Sequence, residues 1–582
     1  MRVIELNGRN YHLHVLVSLL IIASTLQLGR AEDPTQYLEW NVTYGQLSPL
    51  GVPKQVILIN NAFPGPIIET TTNNVVYVNV FNNLDEPLLF TWNGIQQRRN
   101  SWQDGTLGTN CPILPGQNWT YAVQYKDQIG SFFYYPSTYF QKAAGAYGGI
   151  SIAPRFLDPA VKVPFDPPTA EFTILIGDWY HMDHKSLREI LDNGSLLQEP
   201  DGVLINGQGP NFTSPFLVST GLTYRFRISN VGIATTLNFR IQGYQMLLVE
   251  TEGTYVSQEY MESLDIHVGQ SFSILLTIND TILTDVYIVA SSRFTTTNLT
   301  ALAILRSNAS TSPPFGPIPL PLSPQDFSSS LNQTLRIRMN LTAGAARPNP
   351  QGSFHYGEVN VTRIIKLVNN MVQDDKGLLK FAINGWSFVQ PDTPLKLADY
   401  FNLTGIFQLG TFPDTFNNDS NFSTQFGAPV IAGRYKQNMT ELIFQNNEPV
   451  LQSWHLDGYA FFVVGLQSGE WTPESRASYN LIDAISRSTI EVYPMSWTTI
   501  LVMTDNKGMW NLRSQHLQRQ YLGQEVYIRI VDDLNSTKFE NPIPSNVLLC
   551  GRDNLANLFT KALSRETFEA FYKALGLLPF VD

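Results

Sequence analysis

The residues of this chain best suited to metal or redox chemistry are its eight histidines and two cysteines, because imidazole and thiolate are the preferred ligands of copper and zinc. His455 lies in an apolar segment that is expected to form a strand. It is either a hydrogen-bonded core residue, which is our interpretation, or a weak lone metal ligand. His181 and His184 have the spacing of a two-ligand metal clip, although two imidazoles in a polar loop are more typical of surface residues. His267 is expected to pack or hydrogen-bond on a strand.

The elements that must position these residues are β-strands. Short runs rich in β-branched and aromatic residues, such as 55–59, 75–80, 172–176 and 224–228, recur between Gly, Pro and Asn turn signals. Long segments with helical periodicity are almost absent before residue 553. This pattern predicts an all-β protein built of sandwiches or Greek-key barrels.

A weak internal repeat indicates three domains. The dipeptides Ile59-Asn60, Ile205-Asn206 and Ile383-Asn384 each end an apolar run, and their wide spacing suits three units of one type rather than a short solenoid repeat. A Pro- and Ser-rich stretch over 307–330 is typical of an extended linker. We therefore predict domains over 32–158, 159–306 and 331–552.

The N-terminal region predicts secretion. Arg2 and Arg9 precede an apolar run from Val15 to Leu28, and small residues follow it, as in a signal peptide over 1–31. The run is too short to cross a bilayer as a helix, and no longer apolar run follows. The net charge of −11 is spread without a basic stripe, which argues against nucleic acid as a partner.

Fifteen Asn-X-Ser/Thr sequons agree with a secreted glycoprotein. The sequon asparagines are Asn41, Asn118, Asn193, Asn211, Asn279, Asn298, Asn308, Asn332, Asn340, Asn360, Asn402, Asn418, Asn421, Asn438 and Asn535. In an oxidising compartment, Cys111 and Cys550 are expected to form a disulfide rather than remain two free thiols. Such a bond would join the first domain to the end of the third.

The last thirty residues differ in character from the rest of the chain. Apolar residues from Leu555 to Leu575 follow helical spacing, which predicts a helical tail over 553–582. Its sequence resembles the end of a copia-type retroelement polyprotein, so it is either a genomic fusion or gene-model artefact, or a genuine docking helix. It lacks the terminal apolar stretch of a GPI signal, so no lipid anchor is expected.

Four short stretches resemble the copper-binding motifs of plant ascorbate oxidases and laccases, and the resemblance extends over about residues 35 to 552. The family sequence His-Trp-His-Gly corresponds to Thr91-Trp92-Asn93-Gly94, and Tyr-His-X-His corresponds to Tyr134-Tyr135-Pro136-Ser137. The third motif, His-Pro-Trp-His-Leu-His-Gly-His, corresponds to 452–459, and His-Cys-His corresponds to 513–515. The positions that the resemblance assigns to copper ligands hold Thr91, Asn93, Tyr135, Ser137, Gln452, His455, Asp457, Arg513, Ser514, Gln515, Arg519 and Gln524.

These replacements predict that copper is not a cofactor. A blue-copper site needs a Cys thiolate with two imidazoles, and neither serine nor guanidinium can replace them. Only His455 keeps an imidazole, so it is the single candidate metal residue, and no catalytic residue is assigned. Because Asp457 and Arg513 replace ligands that converge on one copper pair, we expect a buried ion pair with Tyr135 and Gln515 as further partners. The alternative is that each charge reaches solvent separately.

The particular replacements are most similar to those of the plant Sku-type multicopper-oxidase-like family, near its pollen ascorbate-oxidase homologues. The resemblance implies three cupredoxin-like barrels, the Cys111–Cys550 disulfide, and a secreted cell-wall glycoprotein linked to directional or pollen-tube growth. The first hypothesis is a non-catalytic protein that contacts wall polysaccharide or a plasma-membrane surface protein. The second is an ascorbate or phenol oxidase with remodelled copper sites. The third is a copper carrier that uses His455 with His516 or with the His181/His184 pair.

Overall fold

A computed structural model describes residues 35–155, 162–210, 214–279, 283–320, 322–343, 359–416, 423–435, 439–531 and 539–551. The predicted signal peptide (1–31) and helical tail (553–582) lie outside these residues. Within them the chain is almost entirely strands and loops, with four short α-helices. The all-β prediction is confirmed.

The first unit is a pair of four-stranded sheets, with strand orders β2-β1-β4-β6 and β3-β8-β7-β5. Its strands are β1 (Thr35–Leu47), β2 (Lys54–Ile59), β3 (Ile68–Thr71), β4 (Val75–Asn82), β5 (Phe90–Asn93), β6 (Asn118–Gln124), β7 (Gly130–Pro136) and β8 (Gly148–Ala153). Short 3₁₀ turns cover Ser101–Gln103 and Gln141–Ala144. Alternate residues of β4 and β6, such as Val78 and Tyr121, are buried between the sheets, as expected of strands with one solvated face.

The second unit pairs a six-stranded sheet with a five-stranded sheet. Its strands are β9 (Ala170–Trp179), β10 (Gly202–Ile205), β11 (Phe216–Val218), β12 (Thr223–Asn230), β13 (Leu237–Ile241), β14 (Met246–Thr251), β15 (Thr254–Met261), β16 (Leu264–Ile266), β17 (Ser271–Thr277), β18 (Val286–Ser292) and β19 (Thr300–Ser307). Helix α1 (His184–Asp192) follows β9. Asp183 caps this helix by accepting hydrogen bonds from the backbone of Lys185 and Ser186.

The third unit pairs an eight-stranded sheet with a five-stranded sheet. Its strands are β20 (Val361–Gln373), β21 (Leu379–Ile383), β22 (Trp386–Phe388), β23 (Gln425–Gly427), β24 (Val430–Arg434), β25 (Met439–Asn446), β26 (Gln452–Leu456), β27 (Phe461–Ser468), β28 (Ser486–Arg487), β29 (Thr489–Val492), β30 (Ser496–Val502), β31 (Gly508–Ser514) and β32 (Glu525–Val531). The helices are α2 (Phe327–Arg336), α3 (Leu395–Tyr400) and α4 (Leu517–Tyr521), with a 3₁₀ turn over Pro473–Ser478. Helix α2 begins inside the linker predicted over 307–330.

The three units share one topology, and the Ile-Asn repeat marks it. In each unit the first strand pairs in parallel with a later one: β1 with β4, β9 with β12, and β20 with β25. Asn60, Asn206 and Asn384 all have positive φ, a conformation that asparagine tolerates. Each side-chain amide donates to one carbonyl of that first strand and accepts from the N–H two residues further along. The repeat is therefore a recurring turn whose asparagine forms hydrogen bonds with the backbone of the first strand.

The predicted disulfide between Cys111 and Cys550 is present, and it closes a sequence separation of 439 residues. It lies beside Trp102 in a small apolar cluster where the segment 539–551 returns to the first unit. No helix in the described part of the chain is long and apolar enough to cross a membrane. Of the sequon asparagines that are described, all are exposed except Asn340, which is half-buried.

Candidate functional site

Four strands from two units bring the four motifs together. Strands β5 and β7 of the first unit place Thr91 opposite Tyr135, while β26 and β31 of the third unit place His455 opposite Arg513. All four side chains are buried. The motifs therefore meet at the boundary between the first and third units, where the sequence resemblance places them. We call Asp104, Tyr135, His455, Asp457 and Arg513 the central cluster.

The predicted buried ion pair is confirmed. The Arg513 guanidinium donates to Asp457 through Nη1, to Asn511 Oδ1 at 3.1 Å through the same nitrogen, and to the Tyr135 hydroxyl at 3.1 Å through Nη2. Burial by itself would raise the pKa of Asp457, but the Arg513 guanidinium outweighs it and lowers that pKa. Asp457 and Arg513 are thus both charged, which is the arrangement that makes a buried pair tolerable.

Asp104 belongs to the cluster and was missed by the sequence analysis. Its carboxyl group lies against that of Asp457, and burial together with this neighbouring carboxylate raises its pKa well above the usual value. The Thr106 hydroxyl donates to its Oδ2 at 3.2 Å. A protonated Asp104 can donate to Asp457, as one carboxyl does when two share a site. The sequence offers no sign of this, because the pairing depends on how a loop of the first unit meets the third.

His455 is a buried core residue with a hydrogen-bond partner, as we interpreted it. The Thr489 hydroxyl lies 2.8 Å from Nδ1, and Nε2 lies 3.0 Å from Asp457 Oδ1, although no well-aligned hydrogen bond joins Nε2 to that oxygen. Burial lowers the pKa of His455 despite the opposing effect of Asp457. The imidazole thus contributes no positive charge to offset the two carboxyl groups.

Lys142 is a second residue that the sequence analysis missed. Its ammonium lies over the Tyr135 ring, 4.2 Å from the centroid, and within 5.8 Å of the Phe133 centroid. Burial lowers the pKa of Lys142 to about 7. A lysine between Gln141 and Ala143 in a short turn is normally solvated, so only the fold reveals that this one is enclosed.

The remaining positions assigned by resemblance lie around the cluster. Gln515 does not contact the ion pair, contrary to expectation, because its Nε2 donates to Asn93 Oδ1 at 2.8 Å. Ser137 donates to the Gly105 carbonyl instead. Four other positions form a separate polar layer, and all four side chains are buried: Gln452, Ser514, Arg519 and Gln524.

This polar layer has its own partners. Gln452 accepts from Asn369 at 2.8 Å and donates to Asn446 at 3.0 Å, while Arg519 pairs with Glu448. Neither atom of the Gln524 amide has a hydrogen-bond partner among the described residues.

The interpretation of His184 as a surface residue is wrong. Its side chain is fully buried, and Nε2 lies 2.6 Å from Glu86 Oε2 of the first unit. The start of helix α1 turns it toward that carboxylate, whereas His181 remains partly exposed beside Asp201. The two imidazoles therefore have separate carboxylate partners.

Comparisons with known proteins place the chain in a family. Residues 41–156, 170–310 and 392–536 each match a model of the multicopper oxidase family. An L-ascorbate oxidase homolog of Brassica napus is 49% identical over 92% of this chain and 96% of its own length. Monocopper oxidase-like protein SKU5 of Arabidopsis thaliana is 47% identical over 92% of both chains. The chain belongs to the Sku-type branch of the multicopper oxidase family.

More distant relatives agree with this assignment. An L-ascorbate oxidase of Cucumis sativus is 30% identical over 94% of this chain and 97% of its own length. The solved structure of Fet3p, a multicopper oxidase that functions in iron import, superposes with a TM-score of 0.71 at 18% identity, over 94% of this chain and 96% of that one. The three units therefore have the cupredoxin-like fold expected from the sequence.

The residues of the central cluster do not fit copper. A guanidinium has no lone pair to give a metal, and its positive charge repels a cation. Here Arg513 is held inside the cluster by Asp457 and Tyr135, so the carboxylate that could bind a metal is already neutralised. Within the described residues no group of three or more His, Cys, Asp or Glu side chains is arranged to hold a metal ion.

Proposed function

We propose that this protein is a secreted glycoprotein of the plant cell wall that does not catalyse copper-dependent oxidation. The observation that carries the proposal is the Arg513–Asp457 ion pair at positions that the family resemblance assigns to copper ligands. Oxidation by this family requires electrons to enter at one copper site and reach dioxygen at another. The residues that the resemblance assigns to these two copper sites include no thiolate and only one imidazole, His455, which is too few ligands for this route.

Secretion is supported by three independent features. The N-terminal residues have the order of a signal peptide, the cysteines form a disulfide that ties the first and third units together, and nearly all of the described sequons are solvent-accessible. A role in cell expansion, in directional growth or in pollen-tube growth follows from the resemblance to Sku-type proteins. In that role the protein would bind wall polysaccharide or a plasma-membrane surface protein.

The proposal is tested on protein secreted from a plant host. Copper content by mass spectrometry and oxygen uptake on ascorbate and phenols are measured beside a cucumber L-ascorbate oxidase purified in the same way. We expect copper well below one atom per molecule and no oxygen uptake above the protein-free rate. Stoichiometric copper with turnover would instead support the oxidase with remodelled sites.

The growth role needs a separate test that does not depend on chemistry. Plants or pollen that lack the protein are complemented with the wild-type chain and with His455→Gln, which removes the single imidazole at a ligand position. We expect both to restore growth equally. Restoration by the wild type alone, with the variant secreted at the same level as the wild type, would show that His455 has a function beyond folding and would favour a metal-dependent role.

A further inference from the structure

A cavity of about 310 Å³ lies away from the central cluster, where helix α2 packs against strands β27, β28 and β30. Its walls are largely apolar and include Ile337, Val464, Leu466 and Ile490. Its lining residues belong to helix α2, to the two residues 337–338 that follow it and to the third unit, and Val464 also packs into the buried core that the second unit shares. Leu335, also in the lining, is exposed to solvent and marks a route of entry.

One buried cation in this wall lacks hydrogen bonds. The Arg487 side chain is only 3% exposed and packs over the Phe272 ring at 5.0 Å. No atom of the described residues accepts a hydrogen bond from its guanidinium, and its Nε is fully enclosed without a partner. A guanidinium carries five N–H donors, and leaving such donors unsatisfied in the interior is costly.

The charge of Arg487 is nevertheless balanced. Glu491 Oε2 lies 3.6 Å from Arg487 Nη1, too far for a hydrogen bond. Both Glu491 oxygens already accept hydrogen bonds, one from the Thr334 hydroxyl and the other from Gln270 Nε2 at 2.6 Å. Arg487 therefore has a counter-charge but no acceptor, so the cavity wall offers N–H groups without a net positive charge.

From this combination we infer that the cavity binds a neutral ring compound bearing a carbonyl oxygen, which accepts hydrogen bonds from Arg487. The apolar walls suit the ring. The volume is about twice that of a ~150 Å³ engineered cavity that admits benzene, which leaves room for a ring with a short side chain. A carboxylate is disfavoured, because it would place a second negative charge beside Glu491.

The inference is tested by calorimetric titration of the full secreted chain with methyl cinnamate and with cinnamate. These probes share a ring and differ in charge. We expect methyl cinnamate to bind more tightly than cinnamate. The double variant Arg487→Met/Glu491→Gln removes the donors while keeping the site neutral, and it should weaken methyl cinnamate binding by about tenfold or more, the factor for a hydrogen bond to a charged group.

Two further variants make the result specific. Val463→Phe adds bulk to the lining without replacing either member of the ion pair and should abolish binding, which tests the location even where the double variant fails to fold. Arg306→Met, at an exposed arginine of the second unit, should leave binding unchanged. Failure of both probes to bind the folded wild-type chain, tighter binding of cinnamate, or methyl cinnamate binding that persists in Val463→Phe would each overturn the inference.

Discussion

Replacing one member of the Arg513–Asp457 pair should destabilise the protein far more than replacing both. Removing one partner of a buried ion pair leaves an uncompensated charge and costs about 3–5 kcal/mol. Asp457→Asn should show this full effect at both pH 7 and pH 5, because Asp457 of the wild type stays ionised at both and an arginine does not lose its proton. Arg513→Met should cost less, because Asp457 can take up a proton, and the loss should shrink toward acid pH.

The sign of that pH dependence follows from the pKa of Asp457, which Arg513 helps to lower in the folded protein. A carboxyl with a lowered pKa stabilises the fold above its unfolded-state pKa, and this contribution disappears as the pH falls. In the wild type this contribution is therefore intact at both pH 7 and pH 5 and is lost only below about pH 4. In Arg513→Met, burial without the guanidinium raises the pKa of Asp457, so the variant loses most stability at pH 7 and less at pH 5. The double variant Asp457→Asn/Arg513→Met leaves no charge behind and should recover most of the loss.

Urea unfolding at pH 7 and pH 5 measures these effects. Trp454 and Trp510 are both buried in the core of the third unit, so their fluorescence reports on the unit that holds the pair. The double-mutant cycle should give a coupling energy of at least about 2 kcal/mol, within the range for residues in one network. Single-variant losses that add to the double-variant loss within about 0.5 kcal/mol would refute the buried pair.

Three further predictions concern the cluster and the disulfide. Asp104→Asn keeps a hydrogen-bond donor beside Asp457 but removes the carboxyl whose pKa is raised. It should stabilise the protein by about 1 kcal/mol or more at pH 7 and have no effect on stability below about pH 4. Equal effects in urea unfolding at pH 7 and below about pH 4 would contradict this. His455 has a lowered pKa, so the unfolded imidazole gains a proton below pH 6.5 that the folded one resists. His455→Gln should therefore reduce the loss of stability between pH 7 and pH 5 by up to about 2 kcal/mol, whereas an unchanged pH profile would show that burial does not lower the pKa of His455. Cys550→Ser opens the 439-residue loop, for which chain entropy gives an upper value of about 6 kcal/mol; it should lower the thermal midpoint and expose 539–551 to protease, and an unchanged midpoint would show that the bond adds nothing.

Much of the fold could be predicted from local sequence. The strand predicted over 75–80 became β4 because its alternating Val residues fit between two sheets, and the Ile-Asn repeat marked one turn in every unit. The ion pair was predictable because two opposite charges occupied positions that the family brings together. Such predictions succeed when a single motif, or the alternation of apolar residues along one strand, is enough to determine the structure.

The failures share a different origin. Asp104 lies in a loop of the first unit and contacts Asp457 of the third unit. Lys142 lies in a turn that places its ammonium over the Tyr135 ring. His184 was misread because its buried partner Glu86 lies far away in the sequence. Gln515 turned toward Asn93 rather than Arg513. For Asp104, His184 and Gln515 the deciding contact is long-range, and the residue's own neighbours in the sequence carry no trace of it. Lys142 contacts a ring on the preceding strand, and only the folded turn shows that its ammonium is enclosed.

The most direct test of the account is the copper content and visible spectrum of the protein purified natively from plant tissue. If the buried pair replaces the metal ligands, copper stays well below one atom per molecule and the solution has no intense blue colour. A stoichiometric copper content with the strong blue absorption of a copper–thiolate bond would contradict the account.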